Sequence, residues 1–249
     1  MAYYDTFDYE KYWRGREYED QSERIALKKL LPNQQTYTSI LEIGCGFGRL
    51  VSCYYPYFKK CILADPSTKL LSRAKENFKD LKKLDFICAS SSKIPLKSNS
   101  LDFCLMVRVC HHLPDLEPSI KEIDRVLKPG GFLVLEFANK INLKARLRAF
   151  LRGDFNFSKS LFPLDLRSLG KRNPKYINFS SHHPLFILKI LKRNGFIVQK
   201  TLSVSNFRLS IFKKFIPLKI LLKLEDFTQG FLGKFFFGPS IFLLCQKSK

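Results

Sequence analysis

Residues 40–50 read ILEIGCGFGRL, and this stretch decides the fold. Its first part is a short apolar strand. Its second part places glycine at alternate positions, Gly44, Gly46 and Gly48, and a helix is predicted from Leu50 onward. Glycine lets a chain turn tightly and leaves no side chain between backbone and ligand. A helix start adds free N–H groups. The spacing G-x-G-x-G departs from the dinucleotide fingerprint G-x-G-x-x-G, so the loop by itself marks a ligand site without naming the ligand.

Working outward, strands and helices alternate. Strands are predicted at 39–43, 61–64, 84–89, 101–107 and 132–137, with helices at 50–58, 67–78 and 117–127. Ser67 is a suitable N-cap. Residues 90–100 read as a polar loop, and Lys128-Pro-Gly-Gly131 as a turn. A helix over 8–31, capped by Asp8, precedes the alternation and stops at Pro32. This rhythm predicts a parallel sheet with helices on both faces, whose ligands bind at the carboxyl ends of the strands.

Beyond residue 140 the rhythm breaks. Residues 140–181 are rich in Arg, Lys, Phe, Ser and Asn, with a helix predicted over 142–151. A helix over 184–194 ends at Gly195. A strand over 196–204 follows, then two amphipathic helices within 207–232 hinged at Pro217, and a last antiparallel strand within 236–247.

Asp65 ends the second strand, 17 residues beyond Gly48. An acid there can accept two hydrogen bonds from a ribose diol. With these pieces in order the chain resembles the class I S-adenosylmethionine-dependent methyltransferases of the type 11 subgroup. The resemblance is carried by ILEIGCGFGRL (40–50), LADPSTKLLSRAKENF (63–78), SSKIPLKSNSLDFCLMVRVCHHLPD (91–115) and EIDRVLKPGGFLVLEFAN (122–139), and more loosely by NFSSHHPLFILKILKRNGF (178–196).

The resemblance implies an α/β fold. This is a Rossmann-like three-layer sandwich with a mostly parallel seven-stranded sheet, its last strand antiparallel, under an N-terminal helical cap. One domain is expected: cap 1–37, cofactor core 38–139, acceptor-side insertion 140–182, and helices and strands completing the sheet over 183–249. It also implies roles. Gly44, Gly46 and Gly48, with Cys45 among them, would lie under the methionine part of S-adenosylmethionine, and Glu42 would orient the loop or the amino group. Asp65 would hold the ribose, with Pro66 and Ser67 beside the adenine. Ser90 and Ser91 stand where the group often has an Asp near the adenine amine, a departure from the pattern. Val107 and Arg108 follow the fourth strand at the cofactor. Tyr-Trp-Arg-Gly-Arg (12–16) resembles an element whose Arg meets the cofactor carboxylate, which makes Arg16 a candidate; a solvated helix Arg is the competing reading.

Methyl transfer is an in-line displacement that needs alignment, a dry pocket and, for a hydroxyl acceptor, a base. All four His lie in two pairs, 111–112 and 182–183. His111, His112 and His183 are the candidate catalytic residues, against packing or helix capping. No Asn/Asp-Pro-Pro-Tyr/Phe motif follows the fourth strand and no Pro-Cys dipeptide occurs, which argues against the base-amine and cytosine-C5 chemistries. No metal site is expected. Seven Cys without a C-x-x-C pair read as reduced thiols of a cytoplasmic protein. No secretory signal or membrane-spanning run is visible.

The net charge is +21, and residues 140–249 carry 22 Lys and Arg against 4 Asp and Glu. Such asymmetry points to an anionic partner. An anionic membrane surface or lipid-linked substrate, nucleic acid, and a solvated helical cover compete as readings. The run FRLSIFKKFIPLKILLKL (207–224) holds more Phe, Leu and Ile than Tyr and Arg, which favours a membrane face over RNA. The expected acceptor is a small molecule, glycan or lipid-linked intermediate, methylated on oxygen, with residues 140–181 as a lid and Tyr176, Phe179 and His183 in its lining. The alternatives are an RNA methyltransferase and a non-catalytic binding protein. The expected location is cytoplasmic, at the inner membrane face.

Overall fold

A computed structural model describes residues 9–32, 37–165 and 179–248. Seven strands form one sheet: β1 (Tyr37–Ile43), β2 (Phe58–Asp65), β3 (Leu84–Cys88), β4 (Leu101–Met106), β5 (Leu127–Ala138), β8 (Phe196–Val204) and β9 (Ser240–Lys247). Their order is β3-β2-β1-β4-β5-β9-β8. The first five run parallel, and β9 is antiparallel to both its neighbours, β5 and β8. Two short strands, β6 (Leu164–Asp165) and β7 (Ser180–Ser181), pair separately.

Strand alternation explains why the strand sequences are apolar almost throughout. Leu41, Ile43, Cys104, Met106, Leu133 and Leu135 pack on one face beneath α5 (Glu117–Val126) and α7 (Pro184–Arg193). Ile40, Leu63, Phe103, Leu105 and Val134 pack on the other. That second face is covered by α2 (Glu17–Leu30), α3 (Val51–Tyr54) and α4 (Thr68–Asn77). The reversal of strand order between β1 and β4 opens the crevice at their carboxyl ends.

Three local expectations are corrected. The helix expected over 8–31 is two helices, α1 (Tyr9–Trp13) and α2, because Gly15 turns the chain at φ +76°; Asp8 lies outside the described residues. The helix expected over 50–58 stops after α3: Pro56 sits in a 3₁₀ turn and β2 already begins at Phe58. Residues 128–131 are a bulge inside β5, not a turn before it. Pairing with β4 jumps from Leu101–Leu127 to Phe103–Phe132.

The segment after residue 140 forms α6 (Leu143–Leu151), capped by Asn142, whose side chain accepts from Ala145 N. The hinge at Pro217 is present, between α8 (Ser210–Phe215) and α9 (Leu218–Gly233). α9 lies against β8 where a Cβ on Gly233 would strike the Thr201 carbonyl. It is also fastened to α2: Gln229 Nε2 donates to the Ser22 carbonyl at 2.9 Å.

Candidate active site

The loop after β1 is shaped by its glycines. Gly44, Gly46 and Gly48 have φ of +71°, +57° and +85°, which side chains rarely adopt. Gly44 N and Cys45 N both donate to the Ala64 carbonyl, at 2.7 and 3.1 Å, tying the loop to the end of β2. A Cβ on Gly44 would collide with Val109, and one on Gly48 with Phe78. A Cβ on Gly46 would face the Tyr9 ring at 3.5 Å. The loop is therefore walled by the residues that follow β4 and α4, and covered by α1.

Asp65 is buried and both carboxylate oxygens accept backbone hydrogen bonds. Gly46 N donates to Oδ2 at 2.8 Å and Ser67 N to Oδ1 at 2.9 Å. Pro66 links them, and Ser67 caps α4 through its hydroxyl, which accepts from Leu70 N. Glu42 is buried on the α3 face and accepts from the Tyr54 hydroxyl at 2.7 Å. Burial pushes its carboxyl up to about 7, against the lowering effect of that hydrogen bond. Cys45 shares this pocket; burial, reinforced by Glu42 and Asp65, pushes its thiol well up.

The other expected cofactor contacts differ in placement. Ala89 N donates to the Asp65 carbonyl at 3.2 Å, so exposed Ser90 follows directly from the ribose-side strand. Ser91 is buried, and its hydroxyl is paired with Ser119 of α5 at 2.7 Å. Val107 packs in the core. Arg16 is exposed and lies over the Tyr12 ring at 4.0 Å. The cation that reaches inward near this element is Arg49, 3.7 Å over the Trp13 ring and paired with Asp20 and Glu23.

Arg108 stands at the end of β4 with φ +63°. Its side chain pairs with Glu23 of α2, Nε to Oε1 at 2.6 Å, and its backbone N donates to Glu136 Oε2 at 2.8 Å. Glu136, on β5, is buried and also accepts from Ser240 Oγ at 2.5 Å; burial raises its carboxyl, partly offset by Arg108. These two residues begin a cavity of about 480 Å³ that runs outward past α6 to Phe179 and Arg208. Lys140, Lys144, Arg148 and Arg152 bring its cationic side chains to six with Arg108 and Arg208, against the acids Glu136 and Asp154.

Of the histidines, His111 is buried, 3.9 Å from the His112 ring and 4.5 Å from Phe179. Burial, then the charges of His112 and Arg108, holds it well below the usual imidazole range, so it stays neutral. His183 caps a helix. Its Nδ1 accepts from Leu185 N at 3.1 Å as the cap of α7, and its Nε2 meets the Ser158 carbonyl at 3.0 Å. Both nitrogens are committed, which leaves no lone pair for a base. His182 likewise holds the Cys110 carbonyl at 3.3 Å. Phe179 lines the cavity; Tyr176 lies outside the described residues.

Three participants were not foreseen: Tyr9 over the loop, Trp13 between Arg49 and Arg108, and Glu136. Glu136 carries a signal as the lone acid in the otherwise apolar strand FLVLEFA (132–138), and Trp13 lies within the Tyr-Trp-Arg-Gly-Arg element (12–16).

Residues 41–135 match the family described as Methyltransferase domain (Methyltransf_11). The chain is 32% identical over 120 residues to a malonyl-[acyl-carrier protein] O-methyltransferase of Marinomonas, covering 45% of this chain and 43% of that protein. It is 36% identical over 81 residues to the ubiquinone/menaquinone biosynthesis C-methyltransferase UbiE of Rickettsia prowazekii, covering 31% and 33%. It thus spans less than half the length of these curated relatives. A crystal structure of an S-adenosylmethionine-dependent methyltransferase from Thermotoga maritima superposes with a TM-score of 0.64 at 21% identity, over 99% of both chains. The YcgJ protein of Bacillus subtilis superposes at 0.58 and 16% identity, over 92% and 98%. Residues 41–135 thus match a methyltransferase domain, and the fold is that of the S-adenosylmethionine-dependent methyltransferases with which the chain superposes.

Proposed function

We propose that this protein transfers a methyl group from S-adenosylmethionine to an oxygen of an anionic acceptor seated between Arg108, Glu136 and α6. The observation that carries the reading is the position of the cation-lined cavity. It starts at Arg108, whose neighbour Val109 packs on Gly44 of the glycine loop.

The loop fits the cofactor: two of its glycines have no room for a Cβ, and the third opens toward Tyr9. When bound, S-adenosylmethionine supplies a methyl group on a sulfonium, open to in-line attack. The chain's part is to bind and align. Asp65 accepts from the ribose hydroxyls, residues 44–48 present backbone to the methionine part, and Glu42 accepts from its ammonium group. Pro66, Ser67 and Ser90 flank the adenine. Glu136 lines the acceptor cavity and takes the acceptor's proton, helped by the raised affinity for protons that burial gives it. His111 and His112 stand behind Phe179, which lines the cavity.

The relatives named above methylate oxygen in one case and carbon in the other, so the oxygen assignment rests on the cavity: it holds an acid to accept a proton and cations to hold an anion. The test is calorimetry with S-adenosylhomocysteine, followed by a labelled-methyl assay on cell extract fractionated by anion exchange. Binding that Asp65→Ala weakens severely, with label in a late-eluting fraction, is expected. Absence of S-adenosylhomocysteine binding overturns the reading.

A second surface supports peripheral contact with an anionic membrane through residues 207–224, as at the inner face of a cytoplasmic membrane. Ile211, Phe215, Leu218 and Ile220 are exposed beside Lys214, Lys219 and Lys223. Lys213 is not part of that face; it pairs with Glu19 at 3.0 Å. Among the described residues no helix is long and apolar enough to cross a membrane. Sedimentation with anionic liposomes, with and without Phe215→Asp, tests this contact.

A further inference from the structure

The acceptor cavity does not end at its cations. It continues into a second hollow of about 630 Å³, between α6 and residues 205–212. Asn142, Lys144, Arg148, Arg152, Ser205 and Arg208 line both. Past that shared rim the walls turn apolar: Leu143, Leu147 and Leu151 from one turn of α6 to the next, facing Phe207, Leu209 and Phe212. The i, i+4, i+8 spacing of the three leucines makes a continuous stripe along the helix. Leu147 and Leu151 are 53% and 83% exposed, a large apolar exposure for a helix only nine residues long.

The rim has unspent charge. Among the described residues no carboxylate lies within ion-pair reach of Lys144, Arg148, Arg152 or Arg208, whereas Arg108 is held by Glu23 and Lys140 by the carbonyls of Ser160 and Phe162. Lys144, Arg148, Arg152 and Arg208, which has only a longer-range interaction with Glu19, gather where an apolar groove meets a polar cavity, and are complementary to a molecule with an anionic head and a hydrocarbon chain.

We infer that the groove between α6 and residues 205–212 holds the aliphatic chain of a single anionic amphiphile, with its charged group on Arg148, Arg152 and Arg208. On the methyl-transfer reading above, on which this assignment of role rests, that amphiphile is the acceptor, and its polar end points past Arg108 to Glu136. Chain length is then read by the leucine stripe, and head-group charge by the rim.

The test uses the full-length protein with octanoate, decanoate and dodecanoate below their micellar concentrations, and with dodecyltrimethylammonium as the same chain on a cationic head. Titration by calorimetry is expected to saturate at one site, with affinity rising about two- to fourfold per added methylene. Dodecyltrimethylammonium is expected to bind at least tenfold more weakly than dodecanoate. Leu147→Asp, at a half-exposed position that does not threaten folding, is expected to remove the dependence on chain length. Arg148→Gln with Arg152→Gln is expected to remove the preference for the anion.

Equal binding of the three carboxylates, equal binding of the two head groups, or indifference to Leu147→Asp overturns the proposal. So does a result in which phosphatidylglycerol vesicles sediment the protein through these residues while no free amphiphile titrates a site; the stripe is then a membrane face. S-adenosylhomocysteine is titrated into the same samples. Its failure to bind while the chain-length series persists overturns the transferase reading and leaves the groove a lipid site, so the two failures are separable.

Discussion

The hydroxyl of Tyr18 donates to Glu225 at 2.6 Å, joining α2 near the start of the chain to α9 near its end. The same hydroxyl accepts from Phe207 N at 2.9 Å, and Glu225 accepts from Ser205 N and Asn206 N at 2.7 and 3.0 Å. One buried acid thus fixes the helical cap, α9 and the strand end that leads to Arg208. Tyr18→Phe removes a bond to a charged group and orphans Phe207 N. It is expected to destabilise the fold by about 2 kcal/mol, read as a shift of the urea midpoint with unchanged slope.

Gly44→Ala is expected to cost about 2 kcal/mol and to abolish S-adenosylhomocysteine binding, because it combines a left-handed backbone with a collision against Val109. Val109→Ala in the same chain should recover the steric part of the stability and not the binding. Full recovery of both would mean that the loop conformation is not what the ligand needs.

Glu42 predicts a pH dependence with a definite sign. Its folded-state carboxyl titrates at about 7, above the ordinary carboxylate range, so the folded protein binds this proton more tightly than the unfolded chain. Stability from this group is present at low pH and is lost as pH rises through about 7, by up to about 3 kcal/mol. Glu42→Gln should flatten stability between about pH 5 and 7 and raise it at pH 8. The proposed contact with the cofactor's ammonium group favours the ionised form. Binding of S-adenosylhomocysteine at pH 6 should therefore release a proton, seen as a dependence of the calorimetric heat on buffer ionisation enthalpy.

Glu136→Gln keeps the size of the side chain and removes its basicity. Methyl incorporation is expected to fall by a factor of about 10² to 10⁴ while S-adenosylhomocysteine affinity holds within a few fold. Equal activity at pH 7 and 8 in the variant and the parent would show that no proton passes through this acid.

The sheet was legible because its strands are buried on both faces. Runs such as residues 103–107 are apolar throughout, and no surface requirement blurs them. The glycine loop and Asp65 were legible for a related reason: backbone geometry there admits few residue types. Positions set by tertiary packing were not. Residues 205–212 meet α6 only because Glu225 fixes their path, and nothing local in either segment announces a groove. Glu136 stands out as the one acid among the apolar residues 132–138, but its pairing with the Arg108 backbone and its place in a cavity depend on tertiary packing. Arg16 drew attention by its motif, and the inward position went to Arg49, seated over Trp13.

Tyr9 bears on the timing of turnover. Its ring stands over Gly46, yet α1 is only five residues long and has no fully buried residue. Such an element opens at low free-energy cost. On the proposed reading the amphiphile would approach from the α6 side and the methionine part of the cofactor would lie beneath Tyr9 of α1, so the two ligands would not share an exit. Release of the spent cofactor can proceed by lifting one short helix, with no need for the long-chain product to leave first. The order of product release is then set by two separate doors.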